Sequence, residues 1–553
     1  MHKNLQAVVE AKLVGYLAES VKKAIYDGEL DLDQVPEVSV EIPREKEHGD
    51  YATNLAMITA GKAGMNPRKI AEIIIENLEA PEVEDVSIAG PGFINFKLNK
   101  NWLYDNLRLI IGLGKDYGKI DQGKEKRVQI EFVSANPTGP LHVGHSRGAV
   151  VGDVTASIME AAGYDVEREY YINDAGNQMD ILAQSTLLRY KEILGHDIEM
   201  PEDVYAGDYV IEIAEDLYKM HGDEILNMSE QKQLEVCREY AYQEMLKNIE
   251  EDLKDFGIEF DSWFSERTLH PDKIIEAVAK LRAKGYIYEK EDALWFKSTD
   301  FGDDKDRVVI KSDQSPTYLA ADIAYHLDKL ERGFDKLINV WGADHHGYIP
   351  RMKAVIEAFG YDRDTLEVIV VQMVTLLRKG KKMPMSKRAG SFVTMKDVNQ
   401  EVGTDAARYY YIMRSTDSHL DFDLELAKEE STNNPVYYVQ YAHARIHSII
   451  DNAEVDGSDQ NLDLLQDPAE VDLMKMLAKY PEEIKLSAES RQPHHLTSYA
   501  YDLATAFHAF YNNCRVNTED IQLSKARLYL VDASRQVLKN VLTLLGISAP
   551  AEM

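Results

Sequence analysis

Between Val128 and Ile172 the chain runs strand, loop, helix, strand, and no other stretch constrains the fold as much. Val128 to Val133 is a strand-like run, and Ser134 to Pro140 carries Pro137, Gly139 and Pro140, which stop it. A helix is expected from about Leu141 to Ala162, closed by Gly163, before Tyr164 to Ile172 restarts as a strand. Such a β-loop-α-β unit builds a doubly wound parallel sheet, whose ligands lie outside the carboxyl ends of the strands. The same rhythm returns with strands at Val308 to Lys311, Leu337 to Trp341 and Leu366 to Val374, and helices at Tyr318 to Glu331 and Ile349 to Phe359. The expected fold class is α/β and multidomain: a Rossmann-like sheet domain over about 120–395, split by a mainly helical, acidic insertion over about 185–300. A small α/β domain over 1–110 precedes it, and an all-helical domain over 404–553 follows.

Composition excludes several classes. With 44% hydrophobic and 28% charged residues the chain is neither disordered nor collagen-like, and two cysteines, Cys237 and Cys514, make no disulfide framework. No apolar run reaches the roughly 18 to 20 residues of a membrane span, so a cytoplasmic protein is expected, without a membrane partner and as a monomer. The net charge of -33 argues against general attraction to nucleic acid. Local sign differs, however: residues 191–260 hold 6 bases and 20 acids, whereas 378–388 hold six bases and no acid. A polyanion confined to the basic patch remains compatible, because screening damps exposed charges beyond about 8 to 10 Å.

His142-Val143-Gly144-His145 opens the helix after the first strand. Its two imidazoles at i and i+3 share one face beside backbone N–H groups that favour anions, and Gly144 leaves room for a nucleotide across the turn. With no third ligand nearby, a structural metal is not expected. Gly144-His145-Ser146-Arg147-Gly148 also matches the nucleophile elbow of α/β-hydrolases, with Ser146 as nucleophile. That reading requires the serine on the turn joining strand to helix, and the spacing from Val133 puts it inside the helix instead. Met383 to Arg388 lies in the basic loop after the last strand, flanked by Gly380 and Gly390, where it can close over a polyphosphate.

Ser134-Ala135-Asn136-Pro137-Thr138-Gly139-Pro140-Leu141-His142-Val143-Gly144-His145 resembles the HIGH signature of class I aminoacyl-tRNA synthetases in its arginyl-tRNA synthetase form. Met385-Ser386-Lys387-Arg388 is similar to the KMSKS signature, with Pro384 in place of its first lysine. Glu45 to Ala52, Gly90 to Asn95, Tyr171 to Gly176, Trp341-Gly342-Ala343-Asp344-His345-His346 and Asn434 to Arg445 extend the likeness over nearly the whole chain. Asp405-Ala406-Ala407-Arg408 resembles the DALR element that introduces the anticodon domain.

The resemblance implies an arginine–tRNA ligase that activates arginine with ATP, accompanied by Mg²⁺, and transfers it to the terminal ribose of tRNA(Arg). It implies that the stretches Ala135 to His145 and Met385 to Arg388 bind ATP, with His142, His145 and Lys387 on the phosphates. It further implies that Glu131 and Asp322 grip the guanidinium, Tyr318 packs on the aliphatic stem and Asn136 holds the α-amino group. Gly342, Asp344, His345 and His346 would border the site, and Tyr437, Gln440, Tyr441 and Arg445 would meet the tRNA. A planar guanidinium does demand carboxylates in a fork, and aromatic rings do stack on unpaired bases. The alternatives are a non-catalytic tRNA-binding relative and the hydrolase.

Overall fold

The computed structural model describes residues 4–384 and 392–553. Its centre is a five-stranded parallel sheet built from β1 (Arg127–Glu131), β2 (Asp165–Ile172), β3 (Ser262–Ser265), β4 (Lys336–Gly342) and β5 (Leu366–Val371). The order across the sheet is β5-β4-β1-β2-β3. Strand order therefore reverses between β1 and β4, where Glu131 stands opposite Asn339. Helices on the two faces diverge there and leave a crevice at the carboxyl ends.

Three helices position the crevice: α1 (Val143–Ala161), α2 (Tyr318–Glu331) and α3 (Ile349–Phe359). The last two occupy the limits that sequence periodicity predicts for them. α1 is buried along most of its length, packed between the sheet and the helix Thr404–Ile412. Its Gly152 is required by packing, since a Cβ there would stand 2.2 Å from the Phe132 ring.

Several expectations need correction. The segment 185–300 does hold long helices, Asp208–His221 and Glu230–Asp255, but also β3, the edge strand of the parallel sheet. The expected strand near Val308 lies outside the parallel sheet; Arg307–Ile310 joins Ile287–Lys290 and Ala293–Phe296 in a small antiparallel sheet. The single strand expected over Leu366 to Val374 is two. β5 ends at Val371, and Val374–Arg378 pairs instead with Leu420–Asp423. That last strand also interrupts the otherwise helical region after Thr404.

The first domain packs the helices Leu5–Tyr26, Leu55–Ala63 and Pro67–Glu76 on a three-stranded antiparallel sheet. It touches the C-terminal helices through Asn4, whose amide donates to Glu482 at 2.7 Å, and through an Asp50–Lys475 ion pair. Among the described residues no helix is long and apolar enough to cross a membrane.

Two buried arginines tie α1 to the C-terminal region. Arg147, 1% exposed, donates to the carbonyls of Tyr411 (3.2 Å), Gln372 (2.9 Å), Ser418 (2.7 Å) and Ser415 (2.8 Å). Arg408 of the Asp405–Arg408 element pairs with Asp153 of α1 and donates to the Phe256 and Leu545 carbonyls, both at 3.1 Å. Burial lowers the Arg147 guanidinium to about 10, still far above neutral pH, so it stays charged. Replacing Arg147 by Met orphans several buried carbonyls and is expected to cost about 3–5 kcal/mol. A urea midpoint unchanged from the parent protein would show that the clasp contributes nothing.

Candidate functional site

The crevice begins with a strained turn. Beyond β1 the backbone enters the left-handed region at Val133 (φ 67°) and Ser134 (φ 41°), conformations unfavourable for any residue with a Cβ and most of all for a β-branched one. Local hydrogen bonds hold it. Ser134 Oγ accepts from the Tyr171 amide at 3.2 Å and donates to Glu131 at 3.0 Å, while the Tyr170 hydroxyl donates to the Ala135 carbonyl at 2.9 Å. The turn sends Glu131 to one side of the crevice and the Asn136–Pro140 loop to the other. Tyr209, from the insertion, covers this loop by donating to the Thr138 carbonyl at 2.7 Å and lies against Gly139. Ala135, Thr138 and Leu141 are buried, and Pro140 is exposed.

His142 is the N-cap of α1. Its Nδ1 accepts from the Gly144 amide at 3.1 Å, and the His142 amide donates in return to Nδ1 of His145 at 3.4 Å. The two rings stack with centroids 3.8 Å apart. Because Nδ1 of each ring accepts, each proton sits on Nε2, directed away from the cap. Burial depresses both imidazoles, that of His145 to about 4, with the neighbouring His142 adding to the effect. Two neutral N–H donors thus stand at the N-terminal, partially positive end of a helix whose first amides are already hydrogen-bonded. Gly144 proves necessary for a reason the sequence does not give: a Cβ there would lie 2.8 Å from the ring of His142. The chain returns to this cap after the basic loop, where the Val143 amide donates to the Val393 carbonyl (3.0 Å) and the Met395 amide to the Leu141 carbonyl (2.8 Å).

The other side of the crevice is acidic. Glu131 is buried at the end of β1. Asp322, on α2, accepts from the Tyr348 hydroxyl, and Tyr348 stands beneath Arg351, 4.4 Å from its ring centroid. Desolvation, with Glu131 and Glu266 adding to it, pushes the Asp322 carboxyl up to about 7, against the opposing hydrogen bond from Tyr348. Glu266, just past β3, is buried beside Tyr171 and within 3.2 Å of Nε2 of His270. Three carboxylates therefore converge from separate segments on one pocket. Tyr318, 66% exposed, stands at the first position of α2 without being packed down. Asn136 donates its amide to Gln178 at 2.6 Å, which leaves its carbonyl oxygen free to accept.

Glu266, Tyr348 and Tyr171 are not among the site residues expected from the sequence, nor is Lys329, whose ammonium is 2.6 Å from Glu131. The sequence offered a signal only for Tyr171, inside the Tyr171–Gly176 match. Gly342, Asp344, His345 and His346 are exposed at the end of β4, with His345 3.5 Å from Asp344. Met385, Ser386, Lys387 and Arg388 lie outside the described residues. Ser146 is fully buried in α1, against the hydroxyl of Tyr411, which removes the hydrolase reading.

In the C-terminal domain the rings of Tyr437 and Tyr441 stack at 6.1 Å, and Tyr441 continues onto His508 at 5.9 Å. Arg445 lies over Tyr511 with 4.7 Å to its centroid. Gln440 differs from expectation: it is buried, and its amide donates to Asp405 at 2.7 Å and to the Ser548 carbonyl at 3.0 Å. Among the described residues no group of three or more His, Cys, Asp or Glu converges to hold a metal ion.

Comparison with known proteins matches three stretches of the chain. Residues 13–98 match the arginyl tRNA synthetase N-terminal domain, 109–446 the class I (R) tRNA synthetase catalytic domain, and 439–553 the DALR anticodon binding domain. The arginine–tRNA ligase of Desulforamulus reducens is 49% identical over 99% of both chains. That of Bacillus subtilis is 50% identical over 97% of this chain and 98% of its own. The solved Thermus thermophilus arginyl-tRNA synthetase shares the fold, with a TM-score of 0.75 at 22% identity over 98% of this chain and 100% of that one.

The reciprocal histidine cap has a spectroscopic consequence. His145 should stay neutral, with its proton on Nε2, down to about pH 4. Titration followed by imidazole ¹⁵N shifts checks this, and a midpoint near the ordinary 6.5 would show that the ring is not buried against its partner.

Proposed function

The chain belongs to the arginyl-tRNA synthetase family, and from that membership we propose that its crevice divides one reaction between two sides, ATP at the histidine-capped helix and arginine at the acids. The observation that carries this assignment is the placement of an anion-favouring helix N-terminus and a carboxylate pocket on either side of one strained turn, at the switch point of the sheet. A cation and a polyanion bound there would meet over Ser134 to Pro140.

The enzyme is a class I arginine–tRNA ligase. In the first step an oxygen of the arginine carboxylate attacks the α-phosphorus of ATP, a new P–O bond forms, and the bond to pyrophosphate breaks. In the second, a hydroxyl of the terminal ribose of tRNA(Arg) displaces AMP from the arginyl carbon. No side chain becomes covalently attached. Positioning and charge stabilisation carry the rate. The Nε2–H groups of His142 and His145 donate to phosphate oxygens without a charge of their own, Mg²⁺ enters with ATP and neutralises the polyphosphate, and Lys387 accompanies the departing pyrophosphate. Glu131, Asp322 and Glu266 receive the guanidinium, Tyr318 closes over its stem, and the Asn136 carbonyl oxygen accepts from the α-ammonium. The stacked face of Tyr437 and Tyr441, with Arg445 beside it, meets unpaired bases of the tRNA. Gln440 holds the C-terminal segment against Asp405 instead.

ATP–pyrophosphate exchange screened over all amino acids, with and without tRNA, tests the assignment; arginine alone should support it. Arginine binding requires ionised Asp322, whose ionised fraction falls from about a half at pH 7 to about a tenth at pH 6. KM for arginine should therefore rise roughly fivefold over that step while KM for ATP stays level. Asp322→Asn should lower kcat/KM for arginine about 10- to 200-fold and remove this pH dependence. Lys387→Ala should cut turnover about 100- to 1,000-fold with little change in KM for arginine. A pH-independent KM in the parent enzyme, or an unaltered rate in the lysine variant, would refute the role concerned.

A further inference from the structure

α2 carries a polar stripe on a buried face. Asp322, His326 and Lys329 are spaced i, i+4, i+7, so they lie one above another along the helix. Asp322 reaches the crevice, and Lys329 is fully buried. The ammonium of Lys329 donates to Glu131 Oε2 at 2.6 Å and to Asn339 Oδ1 at 3.1 Å, and it stands 4.3 Å from the centroid of the Tyr325 ring. Asn339 in turn donates from Nδ2 to Nε2 of His326 at 3.1 Å, and Nδ1 of His326 donates to the Asp322 carbonyl at 2.9 Å. Every partner in this chain is satisfied, so the geometry of Glu131 is fixed from below.

A dry ammonium is costly to bury, and this one neutralises an acid in the very pocket where acids are wanted. Arg332, which caps the C-terminus of α2, does not share the task, since its guanidinium grips Glu169 at 2.6 and 2.8 Å. Three carboxylates around a single monovalent ligand would leave an excess of negative charge, which any compact cation could exploit. An internal ammonium lowers that excess by one charge and already fills the place that a second ammonium would seek.

We propose that Lys329 is a positioning and specificity-determining residue of the arginine pocket: it holds one oxygen of Glu131 so that the acid meets a planar guanidinium in a single orientation, and it makes the pocket unfavourable to the point-like ammonium of lysine. The inference rests on the assignment of arginine to this pocket. Guanidinium spreads its charge over a fork of donors that can bridge Glu131, Asp322 and Glu266, whereas a lysine ammonium must approach Lys329 with undivided like charge.

The test is a double-mutant cycle of Lys329→Met and Glu131→Gln, with Lys329→Arg as the conservative variant, assayed by exchange with arginine and with lysine. Lys329→Met should raise KM for arginine by about tenfold or more and narrow the preference over lysine, with KM for ATP within about twofold of the parent. Lys329→Arg should recover most of the loss. In the double variant, which buries neither an unpaired acid nor an unpaired base, the loss should not exceed that of Glu131→Gln alone. Should Lys329→Met fail to fold, the double variant and Lys329→Arg still decide the matter. Additive losses, equal shifts in both KM values, or an unchanged preference over lysine would overturn the proposal. If Asp322→Asn and Glu131→Gln themselves leave arginine kinetics intact, the assignment of the pocket falls; if they act but show no coupling to Lys329, only the role of Lys329 falls.

Discussion

A guanidinium that is buried must find acceptors wherever it lies, and that requirement at Arg147 binds the domains into one machine. α1 buries Arg147 and Asp153, and their hydrogen-bonding partners come from outside the parallel sheet, with Arg168 of β2 standing farther off, 3.8 Å from Asp153. Arg147 is satisfied by carbonyls around Tyr411 and Ser418, and Asp153 by Arg408. Removing either set would leave an uncompensated buried charge, at a cost of several kcal/mol. The helix whose first turn presents the two histidines is therefore held in place by residues of the region that leads into the stacked tyrosines. The histidine cap and the contacts to the helix Thr404–Ile412 thus lie on one and the same helix, α1.

The overall charge of -33 and the need to bind two polyanions look contradictory only if charge is averaged. At the cap of α1 the proposed anion contacts are the neutral imidazole N–H groups of His142 and His145, which carry no net charge and add nothing to the long-range field. Basic side chains cluster without intervening acids around Arg378 to Lys382, and there Arg378 is already paired with Glu401 and Glu425. Acids, by contrast, are concentrated where a cation has to be recognised. The strained turn at Val133 and Ser134 keeps the two environments a few residues apart without letting Glu131 face the phosphates.

Legibility in the sequence followed the range of the interaction. The β-loop-α-β unit and the limits of α2 and α3 could be read because caps and apolar periodicity are local. β3 could not: it has four residues inside a helical, acidic segment, and only its pairing with β2 reveals it. The break at Gln372 was hidden because apolar residues resume at Met373 and Val374 while the hydrogen-bonding partner changes. In the pocket, Glu131 and Asp322 were reached through the family resemblance. Lys329 and Glu266 have ordinary surface-type spacing in a charged helix and a short turn, and their burial is a tertiary fact. Gln440 shows the converse. It sits in a tyrosine-rich stretch that suggests RNA contact, yet its amide is committed to Asp405 and Ser548.

The strained turn is also the economical way to obtain this site. A left-handed Val133 and Ser134 cost of order 1–3 kcal/mol each. Without the reversal, the extended chain would carry Ser134 and Asn136 onward along the strand direction and out of the crevice. The Ser134 hydroxyl then serves twice, accepting from β2 and donating to Glu131, so the hydrogen bonds that stabilise the turn also orient the acid. Lys329 fixes that acid from the opposite side. Glu131 is thus held at both oxygens before any ligand arrives, and a ligand need not spend binding energy on ordering it. Asp322, gripped by the hydroxyl of Tyr348 and raised toward neutrality, would keep its freedom to ionise as the proposed guanidinium enters. One acid fixed and one acid adjustable is an arrangement suited to a site that must be specific when occupied and electrostatically tolerable when empty.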